Sequence, residues 1–243
     1  MKNGSAAKLM ASLLLVTCTA TFAGASMFEL EIVPVSKLIE QPSVYDSTLA
    51  YRKISVVGNL SELNKHSASI ADDRSALKVD VTRIQLFEGF ELGEQVMLTG
   101  EFRHNSLGDD IMHPSYVLHY PVQNAGQASI SDINGNQALY NGRYVTITGN
   151  LSSIELSAGS YKAMVTEEDT GEQTKVFYYG ATDLKGGEEV KVYGLYNSGI
   201  LHSENMAKNR SPLSLTALVP GFSVVMSLAA LGGVAILLSQ RQR

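Results

Sequence analysis

The densest run of side chains able to do chemistry is residues 104 to 120, HNSLGDDIMHPSYVLHY. His104, His113 and His119 share it with Asp109, Asp110, Met112, Tyr116 and Tyr120. Imidazole beside carboxylate is a donor set for a transition metal, and His or Met can ligate haem iron. Spacings of nine and six fit no compact ligand motif, and the stretch also reads as a hairpin turning at Asn105 to Asp110, so a polar loop is the competing reading. His66 and His202 have no candidate partner nearby in sequence and are expected at the surface. Seven of the eleven tyrosines fall in the second half of the chain: Tyr140, Tyr144, Tyr161, Tyr178, Tyr179, Tyr193 and Tyr196. Aromatics on the open face of a small barrel stack on flat ligands, although tyrosine also favours strands for its own sake. Alternation is read as pointing Tyr178 and Tyr193 outward, and Tyr178, Tyr193 and Tyr196 are the candidate ligand-binding residues.

Catalytic signatures are missing: there is no GxSxG, HExxH, Walker loop or dinucleotide fingerprint. The Glu167-Glu168-Asp169 and Glu188-Glu189 clusters fall in turns or on an outward face, where carboxylates are ordinarily just solvated, and the chain is not expected to be an enzyme. All 24 acidic residues lie between Glu29 and Glu204, a stretch whose balance through Arg210 is −9. Such a field repels phosphate backbones, so nucleic acid is excluded as a partner at this stage. Asn59-Leu60-Ser61, Asn150-Leu151-Ser152 and Asn209-Arg210-Ser211 are glycosylation acceptor patterns, with Asn59 and Asn150 at equivalent places in a repeat described below. Gly-Asn also simply marks a strand end, and Pro212 makes the third pattern less favourable.

Two ends must deliver and hold whatever lies between. Residues 1 to 25 have a basic start, an apolar run from Leu9 to Phe22 and a small-x-small close, the layout of a secretory signal cleaved after Ala25. A lipoprotein signal lipidated at Cys18 is the rival, although Thr17 stands where Gly, Ala or Ser is usual. Cys18 is the only cysteine, so its removal takes disulfides and thiolate sites with it. Residues 219 to 238 span about 30 Å as a helix, enough to cross the hydrocarbon, and Arg241 and Arg243 then stay inside. Pro220-Gly221-Phe222 followed by an apolar helix and a basic tail resembles the C-terminal sorting signal of archaeal surface proteins. That resemblance implies an archaeosortase-type enzyme that removes the helix and a lipid that replaces it; the preceding stretch lacks the long stalk common in such proteins. With or without that exchange, the expected location is the extracytoplasmic face of the cell membrane.

The body aligns with itself. Residues 52 to 61 repeat as 143 to 152 at an offset of 91, residues 35 to 45 as 130 to 140 at 95, and residues 93 to 100 as 187 to 194 at 94. Three blocks in one order mean a duplicated domain. Val145 and Ile147, like Val190 and Val192, alternate with polar or aromatic neighbours, the period of a sheet with one buried face. Gly149 and Gly194 supply bends, Glu167 to Gly171 is a hairpin turn, and Thr82 to Leu92 has room for a two-turn helix that the second copy lacks. The expected fold is all-β: two tandem OB-like five-stranded barrels, with an N-terminal signal peptide and a C-terminal transmembrane helix. The boundaries are 1–25 for the signal, 26–121 and 122–208 for the barrels, 209–219 for a short linker, and 220–243 for the sorting signal. The two barrels are expected to pack or to be tightly joined through Pro121 to Ser129.

In the second copy, Tyr178-Tyr179-Gly180, Asp183-Leu184, Gly187 and the closing Ala207-Lys208 are similar to the barrel of the periplasmic haem chaperone of cytochrome c maturation. The resemblance makes haem one candidate ligand and cytochrome assembly components candidate partners, and the cofactor is left unassigned. The family's attachment histidine has no counterpart, because Asn209 follows Lys208. The function expected is a non-enzymatic, membrane-anchored binding or assembly module. The alternative is a structural or adhesive envelope protein that contacts surface layer, glycan or other envelope proteins.

Overall fold

A computed structural model describes residues 30–48 and 52–209. The signal with its cleavage at Ala25, the motif Pro220-Gly221-Phe222 and the apolar C-terminal segment lie outside the described residues. Among the described residues no helix is long and apolar enough to cross a membrane.

The first half runs β1 (Ile32–Pro34), α1 (Val35–Glu40), α2 (Pro42–Tyr45), β2 (Lys53–Leu63), β3 (Ala68–Ala71), β4 (Ala76–Val79), a single 3-10 turn (Ile84–Phe87), β5 (Gln95–Arg103) and β6 (Ile111–His119). The second half runs β7 (Asn124–Gln127), α3 (Ile130–Gly135), α4 (Gln137–Tyr140), β8 (Arg143–Ser157), β9 (Ser160–Thr166), β10 (Gln173–Tyr178), β11 (Glu189–Asn197) and β12 (Ile200–Lys208). The first sheet is ordered β1-β2-β3-β4-β6-β5, and β5 returns to pair with β2; the second is ordered β7-β8-β9-β10-β12-β11, and β11 returns to β8. Both sheets therefore close as five-stranded OB-like barrels, in which only β4–β6 and β10–β12 pair in parallel within the ring. Closure pairs the ring strands all round and leaves only the short strands β1 and β7 as outer edges.

Alternation fills each interior. Val145, Ile147 and Leu151 of β8 meet Val190, Val192 and Tyr196 of β11 in one core, as Ile54, Val56 and Leu60 meet Val96, Leu98 and Phe102 in the other. The short helices plug equivalent ends, with Val35, Leu38 and Tyr45 in the first barrel and Ile130, Ile133 and Tyr140 in the second. One device holds both plugs: Asp72 accepts the Ser36 N–H at 2.6 Å, and Glu167 accepts the N–H groups of Ile130 and Ser131 at 3.2 and 3.1 Å. The Thr170 hydroxyl together with these amides keeps Glu167 below the usual carboxylate range.

The plan of strands and helices departs from expectation in two places. Thr82 to Leu92 makes one 3-10 turn and not two helical turns, because Gly89 takes φ +82° immediately after it while Leu86 and Phe87 are drawn into the core. The presumed linker contains β7, and β1 is its counterpart; each adds a parallel strand to its barrel. β7 is exposed along its whole length, so no hydrophobic pattern announced it.

Gly100 and Gly194 occupy matching bulges, where the ladders β5–β6 and β11–β12 each shift by a residue. A Cβ there would collide with the carbonyl oxygen of His113 or His202 respectively. Gly194→Ala is expected to cost about 1–3 kcal/mol, read as a lower urea midpoint with unchanged slope. An unshifted midpoint would mean that the bulge opens freely.

Candidate functional site at the seam between the barrels

Some strands carry apolar side chains on both faces, as in Val96-Met97-Leu98 and Tyr116-Val117-Leu118, which is the mark of a sheet covered on both sides. One face lines the barrel and the other lines a seam. Met97, Tyr116 and Leu118 of the first barrel pack on Tyr144 and Leu195 of the second, flanked by Val57, Tyr120 and Tyr193. Tyr144 stacks on Tyr193 with ring centres 5.4 Å apart and donates its hydroxyl to Glu204 at 2.8 Å. Burial, then that carboxylate, pushes the Tyr144 hydroxyl far above the ordinary tyrosine range.

Two buried asparagines close the seam. Asn197 treats Val117 as a strand partner: its Nδ2 donates to the Val117 carbonyl at 3.0 Å and its Oδ1 accepts the Val117 N–H at 3.4 Å. Asn141 donates to the carbonyls of Leu86 and Glu88 at 3.0 and 2.8 Å, and accepts from Asn197 Nδ2 and the Ser198 N–H at 3.1 and 2.8 Å. His119 joins this clasp. Its N–H donates to the Gly142 carbonyl at 3.2 Å, Nε2 meets the Asn141 carbonyl at 3.1 Å, Nδ1 contacts Glu94, and the ring stacks on Phe90 at 4.3 Å.

The three histidines expected to share a metal or haem are instead kept apart, each with its own carboxylate. His104 Nδ1 is 2.7 Å from Asp110, His113 Nδ1 is 3.1 Å from Asp80, and His119 belongs to Glu94. Six residues along β6 separate His113 from His119 by about 20 Å. Among the described residues no three His, Cys, Asp or Glu side chains come together as a metal site. The common histidine site is therefore corrected to three separate pairs.

The proposed tyrosine face is corrected too. Tyr196 shares the parity of Val190 and Val192 and is 1% exposed inside the barrel. Tyr178 shares the parity of Thr174 and Val176 and leans on the same core. Tyr193 does face outward, onto Tyr144 in the seam. Of the acceptor asparagines, Asn59 is exposed on β2, Asn150 is half-buried on β8, and Asn209 donates to Glu189 at 2.7 Å.

The barrels stack head to tail. In the paired ladders Lys191, Asn205 and Ala207 of the second barrel match Met97, Tyr116 and Leu118 of the first, so the corresponding face of the second barrel is open and polar. A groove of about 970 Å³ lies there, lined by Leu184, Lys191, Tyr193, Asn205, Lys208 and Asn209 among others.

Sequence reasoning placed His202 at the surface, yet it is 6% exposed. Its ring lies edge-on to Tyr116 at 4.7 Å and to Phe177 at 5.8 Å. Burial first, then Arg83 and Lys53, lower its pKa to about 4, and its buried Nδ1 has no hydrogen-bond partner. The repeat held the missing signal. His202 opposes Leu195 as His113 opposes Glu101, and Phe177 stands beside it where Asp80 stands beside His113.

A scan against models of protein families finds no match, and a search of curated proteins finds none. Among solved structures the chain is similar to the S. pombe Stn1-Ten1 complex, at 19% identity and TM-score 0.25 over 29% of this chain and 61% of that one. It is also similar to the hypothetical protein ygiW from E. coli, at 15% identity and TM-score 0.29 over 37% of this chain and 89% of that one. A third is the p202 HIN1 domain in complex with 12-mer dsDNA, at 14% identity and TM-score 0.23 over 58% of this chain and 80% of that one. This chain thus spans less than two thirds of the Stn1-Ten1 chain it matches. With DNA-bound domains among these structures, the exclusion of nucleic acid drawn from net charge is withdrawn. The physical flaw in it was to use a sum: contact is decided by local potential, and the charges that act on His202 are the cations Arg83 and Lys53.

Proposed function

We propose that the chain is a non-enzymatic binding and assembly module, exported and held at the extracytoplasmic face of a membrane by residues 220–243. The observation that carries this reading is the seam. Its tyrosines and asparagines join two small barrels into one body, which holds binding surfaces on both barrels at a fixed spacing. Pre-ordering of this kind lowers the entropy lost when a partner docks. The open groove at Asn209 lies where the chain continues toward its apolar C-terminal segment, so a partner bound there would be met close to the membrane. The resemblance of the second barrel to haem chaperones supports a role in assembly, with the attachment chemistry left out.

Intact cells treated with a membrane-impermeant amine-reactive label, followed by carbonate extraction, test the reading. The expected result is a labelled chain that stays with membranes until detergent is added. Recovery as an unlabelled, freely soluble protein would overturn it. Retention by envelope fractions after detergent would instead favour the structural or adhesive alternative.

A further inference from the structure

We infer that the rim of the seam around His202 is a binding patch for a flat aromatic anion, a ring system that carries phosphate or carboxylate groups; this rests on the reading of the chain as a binding module. The floor of the patch is made of rings from both barrels: Tyr116 from β6, Phe177 from β10 and His202 from β12. Above them stands Tyr179, half exposed and hydrogen-bonded to Tyr116. Lys53 holds its ammonium 5.8 Å from the centre of the Tyr116 ring, and Arg83, on the loop after β4, is close enough to act on both Tyr116 and His202.

The charge here opposes the rest of the molecule. The chain carries −9 between Glu29 and Arg210, yet the groups that act on His202 are two exposed cations. Among the described residues neither Lys53 nor Arg83 forms an ion pair. Glu101, opposite Lys53 in the ladder, engages Arg103 at 3.4 Å. In the first barrel the matching histidine has Asp80 beside it; in the second, Phe177 replaces that carboxylate with a ring. His202 is left more than nine-tenths buried with an unpartnered Nδ1. A half-exposed ring, Tyr179, over buried and half-buried ones and beside two exposed cations suits stacking and charge pairing together. The patch exists only where the barrels meet, since the cations come from one and the histidine from the other.

Two sources share this chemistry, nucleotides with their phosphates and porphyrins with their carboxylates, and the titration separates them. The full chain in detergent is titrated with ATP, with adenosine and with iron-free protoporphyrin. Readouts are tyrosine fluorescence, usable because the chain has no tryptophan, and porphyrin absorbance. One of the two anions is expected to saturate, with adenosine at least tenfold weaker if that anion is ATP. Lys53→Glu combined with Arg83→Glu should weaken the saturating anion tenfold or more while leaving the melting temperature unchanged, because both side chains are exposed. Tyr179→Ala should weaken it several-fold. Flat titrations with both anions, or binding indifferent to the double charge reversal, would overturn the patch. Either outcome leaves the surface-labelling result standing, so failure of the patch and failure of the module reading can be told apart.

Discussion

Asn141→Ala is expected to lower the unfolding free energy by about 4 kcal/mol, the largest loss of any single polar truncation in the molecule. The wild-type amide is saturated, with two donations to carbonyls of the first barrel and two acceptances within the second. Alanine strands the Leu86 and Glu88 carbonyls, one Asn197 hydrogen and the Ser198 N–H. Unmade bonds at buried sites cost about 1–3 kcal/mol each, and water admitted into the gap recovers part of that. Asn197→Ala releases both Val117 groups and should cost a similar amount. Because the two asparagines bond each other, the double variant should lose clearly less than the two single losses combined. Urea unfolding gives all three values. The same experiment probes the joint: with the clasp cut, the single transition should split into two as each barrel unfolds by itself. Asn134→Ala, whose amide bonds Glu172 at an exposed position, is the control and should stay within about 0.5 kcal/mol of wild type. A loss below 1 kcal/mol at Asn141 would mean that the seam is held by its apolar contacts alone.

Much of the barrel architecture was legible because it depends on local periodicity. Alternation and turn chemistry placed one bulge glycine, Gly194, and the hairpin at Glu167 to Gly171, since each is set by residues near in sequence; the bulge at Gly100 went unnamed. The short strands β1 and β7 escaped because a three- or four-residue edge strand makes almost no pattern. The candidate site escaped for a different reason. Parity alone would have sent Tyr196 inward with Val190 and Val192, but the count of tyrosines outweighed that alternation. The histidines were grouped by proximity in the chain, whereas β6 holds His113 and His119 far apart along its length. The doubly apolar runs on β5 and β6 carry the mark of a covered outer face, a signal that went unread. What covers it could come only from tertiary structure, because Tyr144, Leu195 and His202 reach it from three separate strands.

His202 makes that hidden face measurable. In the fold its pKa is about 4, lowered by burial and then by Arg83 and Lys53; in the unfolded chain it returns to the ordinary imidazole value of 6.5. Between these values the unfolded state carries a proton that the native state refuses. Stability from this group is therefore complete above pH 6.5 and declines as pH falls toward 4, by at most about 1.4 kcal/mol per pH unit and about 3 kcal/mol in all. The depressed carboxylates Asp72, Asp80 and Glu167 lose their contribution in a lower window, as pH drops through their own folded values. His202→Phe keeps a flat ring between Tyr116 and Phe177 and deletes the unpartnered Nδ1, so at pH 7 it should match wild type or exceed it. Urea unfolding at pH 7, 5.5 and 4.5 gives two stability curves, and their difference isolates this one titration from all others. The wild-type curve should fall away from the variant's by about 2 kcal/mol or more at pH 4.5. Parallel curves would mean that the imidazole reaches solvent and takes up its proton without cost, and the cation-rimmed patch built around a buried neutral histidine would lose its floor.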